Sequence, residues 1–234
     1  GGSPASGYIY SWYESGNPVS FSSDSIAVGL SAGSYYLSVE DANGCDTFTT
    51  INVTEPQFAL QGSVQMFAVA CKGDDTGVLV GDAGGGWGPY VYYWLDDQGD
   101  TIPRLDGQGN IIPPDLYASI FDSDTLSGLV SGAYQLHIYD SKECFVTYTL
   151  DVTEPDVALS IDIDLVESIS CNGDSVGKAI LYASGGMPNS NPTYTYLWEN
   201  GETTTIAEAL TSGYQSVVLS DDWGCEVKDS IYIP

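Results

Sequence analysis

The chain has 234 residues, 43% of them hydrophobic, with 27 Gly, 17 Tyr and a formal net charge of −27. A surface this acidic repels phosphate backbones and anionic lipid headgroups, which excludes nucleic-acid binding and membrane-surface binding as expected roles. No apolar run is long enough to cross a bilayer, so direct membrane insertion is excluded by the same reading.

In chain order, the first strand signal is Gly1-Gly2…Pro4…Tyr8-Ile9-Tyr10-Ser11-Trp12. Tyr8, Tyr10 and Trp12 alternate and so share one face of a strand. A twelve-residue phrase follows, Leu30 to Asp41, with Leu first, Gly fourth and Asp last. Its Leu37 and Val39 alternate with polar residues, as in a half-buried strand. A turn leads to Cys45, a last strand carries Ile51 and Val53, and Val53-Thr54-Glu55-Pro56 closes the segment.

The pattern then recurs with an extra block in front. Cys71-Lys72-Gly73-Asp74-Asp75-Thr76-Gly77 stands fourteen residues before Gly85-Gly86…Pro89-Tyr90-Val91-Tyr92-Tyr93-Trp94. The phrase returns as Leu129 to Asp140, followed by Cys144, Leu150, Val152 and Val152-Thr153-Glu154-Pro155. Between Trp94 and Leu129 lie 35 residues, against 18 and 12 in the other copies. Within that insertion Thr101-Ile102-Pro103-Arg104-Leu105 and Asn110-Ile111-Ile112-Pro113 flank Asp106-Gly107-Gln108-Gly109, which predicts a protruding hairpin near 96–125.

The third copy has Cys171-Asn172-Gly173-Asp174-Ser175-Val176-Gly177, Gly185-Gly186…Pro188…Tyr194-Thr195-Tyr196-Leu197-Trp198, the phrase from Leu210 to Asp221, then Cys225, Ile231 and Ile233. A helical period never persists for three turns, so almost no helix is expected. The fold expected is all-β: tandem immunoglobulin-like (PKD-like) β-sandwich modules at 1–56, 57–155 and 156–234, the first one incomplete. Residue 1 falls inside a repeat, so the chain is expected to be an internal piece of a longer protein. Proline-containing ends without Gly/Ser spacers predict short, stiff junctions.

Trp12, Trp94 and Trp198 are expected to be core, one per module. An aromatic ladder could instead form a sugar platform, but the shared spacing favours packing. The L-x-x-G-x-Y run predicts a tyrosine corner at Tyr35 and Tyr134, in which the phenol ties the preceding loop to the strand. The third copy departs, because Tyr214 directly follows Gly213 and Gln215 takes the expected place.

Taken together, C-x-G-D-x-x-G, G-G-x-x-P-Y-x-Y-x-W, L-x-x-G-x-Y-x-L-x-V-x-D-x-x-G-C and V-T-E-P, in that order, resemble the SprB repeat. This is a family of immunoglobulin-like modules, related to PKD domains, in giant cell-surface proteins of gliding and other Bacteroidetes. The resemblance spans nearly the whole chain except the insertion. It implies type IX secretion, display on the bacterial outer-membrane surface and a part in adhesion or gliding, with no catalysis. The role expected is a stalk segment whose partners are neighbouring repeats of the same parent chain. A glycan- or protein-binding module using the 96–125 insertion is the alternative, and accessory modules of a large extracellular enzyme are another.

Five Cys in such an array argue for disulfides. Strand parity would place Cys144 on the inward face with Leu150 and Val152, and Cys71 with Phe67 and Val69. Pairing within a repeat gives Cys71–Cys144 and Cys171–Cys225, with Cys45 unpaired, and is the simpler expectation. Against it, an eight-residue strand separates the two poles of a module by ~26 Å, whereas a disulfide needs Cα atoms within ~7 Å. A staple between modules, Cys71–Cys225, is the rival and leaves three cysteines over. Zinc is excluded, since C-x-x-C is absent and His137, on the polar face of its strand, is the one histidine.

No cofactor is expected, with calcium as an alternative. Asp74, Asp75 and Asp174 in Gly-containing turns, and Asp96 and Asp100 in Asp96-Asp97-Gln98-Gly99-Asp100, supply calcium-type oxygens without an EF-hand pattern. Asp in such turns more often bonds its own backbone. Motifs of nucleophilic, phosphate-binding and zinc-hydrolase chemistry are missing, so the expectation is a protein that is not an enzyme.

Overall fold

Strand β9 (Gly132–Tyr139) sets the pattern for the whole chain. Tyr134, Leu136 and Ile138 point inward and are buried, while Gln135, His137 and Tyr139 face out. The period of two in the sequence becomes one apolar face and one wetted face, as an antiparallel sheet with a single packed side requires. The computed structural model describes residues 7–103, 118–119, 123–169, 176–186 and 193–234. No helix forms among them.

The chain divides into two units, Gly1–Ala59 and Leu60–Pro234. In the first, β1 (Ile9–Glu14), β2 (Gly33–Glu40) and β3 (Asp46–Val53) make one antiparallel sheet in that order. Trp12 and Tyr35 are buried on it, but Leu37 and Val39 are only half covered. The second unit holds two sandwiches. In one, β4 (Gln61–Phe67), β5 (Gly77–Gly84) and β8 (Ser123–Leu129) form a sheet. It faces β10 (Phe145–Val152), β9, β6 (Tyr90–Leu95) and β7 (Ala118–Ser119). Val69, Leu79, Tyr92, Trp94, Leu136 and Ile138 fill the space between them.

The other sandwich repeats the plan. Its sheets are β11 (Ser160–Glu167), β12 (Gly177–Ser184) and β14 (Ile206–Leu210), against β13 (Tyr194–Trp198), β15 (Gly213–Asp221) and β16 (Glu226–Ile233). Its core is Ala179, Leu181, Trp198, Ala207, Leu210, Val217 and Ile233. The order β4-β5-β8 against β10-β9-β6, repeated as β11-β12-β14 against β16-β15-β13 with crossovers between the sheets, is immunoglobulin-like. The strand before the insertion and the strand after it therefore lie in different sheets. Beside the expected hairpin, the Asp96–Asp100 turn and the Leu95↔Thr101 bridge follow β6, and β7 pairs with Tyr90 and Val91. Residues 104–117 and 120–122, which hold Arg104, Leu105 and the Asp106–Pro113 run, lie outside the described residues.

Each module repeats the same register at its tryptophan. Trp12 pairs Leu37, Trp94 pairs Leu136 and Trp198 pairs Val217. Each indole N–H also finds an acceptor at 2.9 Å: the Asp24 carbonyl, the Asp124 carboxylate and the Thr204 carbonyl. A buried indole needs such a partner, and a different one is supplied locally in each copy.

Candidate functional site at the module junction

Three short motifs converge at the ends of the sandwiches. The first is the turn between the last two strands, where the phrase ends. In all three copies the Asp side chain accepts from the N–H two and four residues on: Asn43 and Cys45 for Asp41, Lys142 and Cys144 for Asp140, Trp223 and Cys225 for Asp221. Each Asp N–H donates in turn to the carbonyl of the same cysteine. The residue before each cysteine, Gly44, Glu143 or Gly224, is left-handed, with φ of 78°, 65° and 85°. The cysteine is thus presented by one and the same turn three times.

The second motif is the Gly-Gly pair. The free oxygen of Asp140 accepts from Trp87 N–H at 3.0 Å, directly after the pair. A Cβ on Gly86 (φ +56°) would stand 2.6 Å from that oxygen, and one on Gly186 would stand 2.5 Å from the matching oxygen of Asp221. Only glycine allows this approach and this φ. Tyr90 and Tyr194 lock the pair from below, each hydroxyl donating at 2.7 Å to the carbonyl of Gly85 or Gly185. Burial alone would raise the Asp140 carboxyl, but the N–H groups of Trp87, Lys142 and Cys144 outweigh it and hold the group below the usual carboxylate range.

The third motif is C-x-G-D, at the opposite pole. There Val69 N–H donates to Thr153 O at 2.8 Å. Gly73 N–H donates to Glu154 Oε2 at 2.7 Å, and Lys72 Nζ reaches Glu154 Oε1 at 3.5 Å and Pro155 O at 3.3 Å. The Gly73 N–H first, with Lys72 and Ser131 behind it, keeps the Glu154 carboxyl below its ordinary range. So the turn after β4 grips the Thr-Glu-Pro connector that leads into the next module. The sequence signal for this contact was the recurrence of the two blocks in phase, but their spacing of 83 residues, Cys71 to Glu154, does not reveal that they touch.

The disulfide crosses this junction. Cys71 is bonded to Cys225, with Cα atoms 5.5 Å apart, and the Cys225 sulfur lies 3.3 Å from the Ala70 carbonyl. The in-repeat pairings Cys71–Cys144 and Cys171–Cys225 are therefore both corrected, since Cys71 and Cys225 are bonded to each other. Cys71 lies between Val69, bonded to Thr153, and Gly73, bonded to Glu154, past the far end of β10, while Cys144 precedes its first residue, Phe145, and an eight-residue strand spans ~26 Å. Cys144 and Cys45 are free and exposed. Strand parity also misplaces Cys144: it keeps the inward phase of Val146 but lies in the turn, beyond the core. Cys171 and Asp174 lie outside the described residues.

Tyr35 and Tyr134 form the expected corners, donating to the carbonyls of Ser31 at 2.9 Å and Val130 at 3.1 Å. In the third module Gln215 does the same work, its amide reaching Thr211 O and Thr211 Oγ1 at 3.2 Å each. Tyr214 is left on the surface against Tyr232. Of the aspartates considered for calcium, Asp96 accepts from Gln98 and Asp100 N–H, and Asp74 N–H closes a turn on Cys71 O. Asp75 is exposed. Among the described residues, no group of three or more His, Cys, Asp or Glu gathers as a metal set.

A second feature lies on the outer face of β6, β9 and β10. Tyr139 stacks on Phe145 at 5.5 Å and meets Tyr93 edge-on at 5.7 Å. With Val91, Leu95 and His137 they line an open depression of ≈ 750 Å³.

Among solved structures, the chain is similar to a C-terminal 282-residue fragment of intimin in complex with the translocated intimin receptor's intimin-binding domain. The identity is 14% and the TM-score 0.36, covering 76% of this chain and 64% of that one. It is similar to the N-terminal eight Ig domains of Down syndrome cell adhesion molecule, at 11% identity and a TM-score of 0.34, covering 98% of this chain and 32% of that one. It is also similar to fibronectin(III)-like modules of Clostridium thermocellum CbhA, at 14% identity and a TM-score of 0.29, covering 73% and 94%. The chain spans less than two thirds of the length of the first two. All three TM-scores lie below 0.5, so the fold rests on the strand order and register above. No curated protein matches the chain. The SprB repeat family model matches residues 165–203, from β11 through β13 into the turn that follows.

Proposed function

We propose that the chain is a stalk segment of a secreted bacterial surface adhesin, serving gliding or attachment, with no catalysis of its own. The observation that carries this reading is the junction. A covalent bond, a backbone hydrogen bond and a carboxylate clamp all cross or brace the few residues between two separately cored sandwiches. A tether that only joins two binding domains needs none of these, whereas a segment that transmits orientation over many modules needs them at each joint. Export by the type IX route and display outside the outer membrane fit the SprB match, the disulfide and the acidic surface.

Rotational diffusion tests the reading. By backbone 15N relaxation, the modules at 57–155 and 156–234 should tumble as one body when oxidised. After reduction their correlation times should separate while both keep their dispersed spectra. Independent tumbling of the oxidised modules would contradict the stalk reading.

The aromatic depression favours a second reading, a module that holds a glycan on Tyr93, Tyr139 and Phe145. Stacked rings at an open surface suit sugar faces. Specific glycan-array binding by the intact chain, lost on Tyr139→Ala and Phe145→Ala, would establish that reading. No binding would leave the depression as ordinary surface.

A further inference from the structure

The two free cysteines stand where the bonded one stands. Cys45, Cys144 and Cys225 occupy the same turn, with the same pair of side-chain acceptances, the same reciprocal backbone bond and the same left-handed residue before the sulfur. Cys225 has the C-x-G-D turn of another module against it and is bonded to that turn's Cys71, whereas Cys45 and Cys144 are free. We infer that Cys45 and Cys144 are half-staples: each is an acceptor site for a disulfide from the C-x-G-D turn of a further module of this kind, docked end to end.

The polarity of the sandwich dictates the partner. The C-x-G-D turn lies at the pole from which the chain leaves a module, beside Thr153 and Glu154. The Asp-x-x-x-Cys turn lies at the opposite pole, a strand length away. Equal poles cannot meet in a head-to-tail row, so the link runs from the exit pole of one module to the entry pole of the next. The inference rests on the tandem-module reading but not on the adhesive role, and its tests would fail without touching that role.

The chemistry is thiol–disulfide exchange. The Cys144 thiolate attacks a low-molecular-weight disulfide such as oxidised glutathione, forming a mixed disulfide and releasing one thiol. The incoming Cys71-type thiolate then attacks the Cys144 sulfur, forms the staple and expels the second thiol. Two protein thiols are oxidised, one small disulfide is reduced to two thiols, and the two protons leave with them.

A direct tandem of residues 57–155 followed by a second 57–155 tests this. The sandwich closes its core with its own residues from Leu60 to Val152, and Thr-Glu-Pro joins the copies in the natural way. In oxidised glutathione, Cys71 of the first copy should bond Cys144 of the second, with the other two thiols open to alkylation. Cys71→Ser in the first copy alone should abolish the link. A Cys71–Cys144 bond inside one copy, or no bond in a tandem whose spectrum is folded, would overturn the inference.

A second test uses the chain as it is. The triple variant D222S/W223K/G224E gives the bonded turn the residues of the Cys144 turn. Cys71–Cys225 should close as completely as in the parent. Free Cys225 thiol in this variant would mean that the Cys144 turn is not equivalent, and would overturn the inference without recourse to the tandem.

Discussion

The side chain that organises each module is the aspartate at the end of the repeated phrase. Asp140 gathers three N–H groups from two loops at 2.8–3.0 Å, and it is buried. Asp140→Ala should cost about 2–4 kcal/mol in chemical denaturation, since buried donors lose a charged acceptor. Gly86→Ala attacks the same spot from the other loop and should cost about 1–3 kcal/mol, through a positive φ and a Cβ at 2.6 Å from the carboxylate. The sign of the pH dependence follows from the depressed carboxyl. Its contribution is complete above the unfolded carboxylate range and is lost as pH falls through the lower folded value, so acid should lower the melting temperature of the 57–155 module. The Asp140→Ala variant should have a flatter acid limb. None of this was readable from the phrase alone, because Asp at a hairpin end ordinarily bonds its own backbone, and the reach to Trp87 depends on a loop 53 residues away.

At the scale of elements, strand faces were legible and cross-module contacts were not. Alternation in β6 and β9 placed Tyr92, Trp94, Leu136 and Ile138 inward because a sheet has a period of two, and nothing in tertiary structure shifts that phase. Trp94 is 1% exposed, and Trp94→Ala should cost about 3–5 kcal/mol in urea unfolding followed at Trp-independent wavelengths. In the third module the sequence puts Gln215 in the corner position but does not show that its amide makes the corner bond to Thr211. An amide can reach the carbonyl four residues back as a phenol does, yet Gln has no such reputation in sequence patterns. Cys144 shows the limit of parity. Its phase was inward, but phase carries no information on whether a residue lies over the core or past its edge. The pairing of Cys71 needed the relation between two modules, which is fixed by the connector geometry and not by any local periodicity.

At the scale of the whole molecule, the joint between the second and third modules carries the titratable contact. The Glu154 clamp should give the 57–155/156–234 joint its own acid response. Its depressed carboxyl holds Gly73 and Lys72 above the unfolded carboxylate range and releases them as pH falls through the folded value. In the reduced protein, Glu154→Gln should therefore raise hydrogen exchange at the Gly73 amide several-fold at neutral pH, and the difference from the parent should shrink as pH falls through the folded carboxyl value. With the disulfide closed, the same variant should leave the common tumbling of the two modules intact, because a covalent link does not depend on the clamp.

The most direct measurement is disulfide mapping of the oxidised full chain, alkylated without reduction and cleaved at its acidic residues. The stapled-joint account predicts one cross-linked pair of peptides containing Cys71 and Cys225, with Cys45 and Cys144 alkylated. A peptide pair joining Cys71 to Cys144 would place the link inside a module and contradict it.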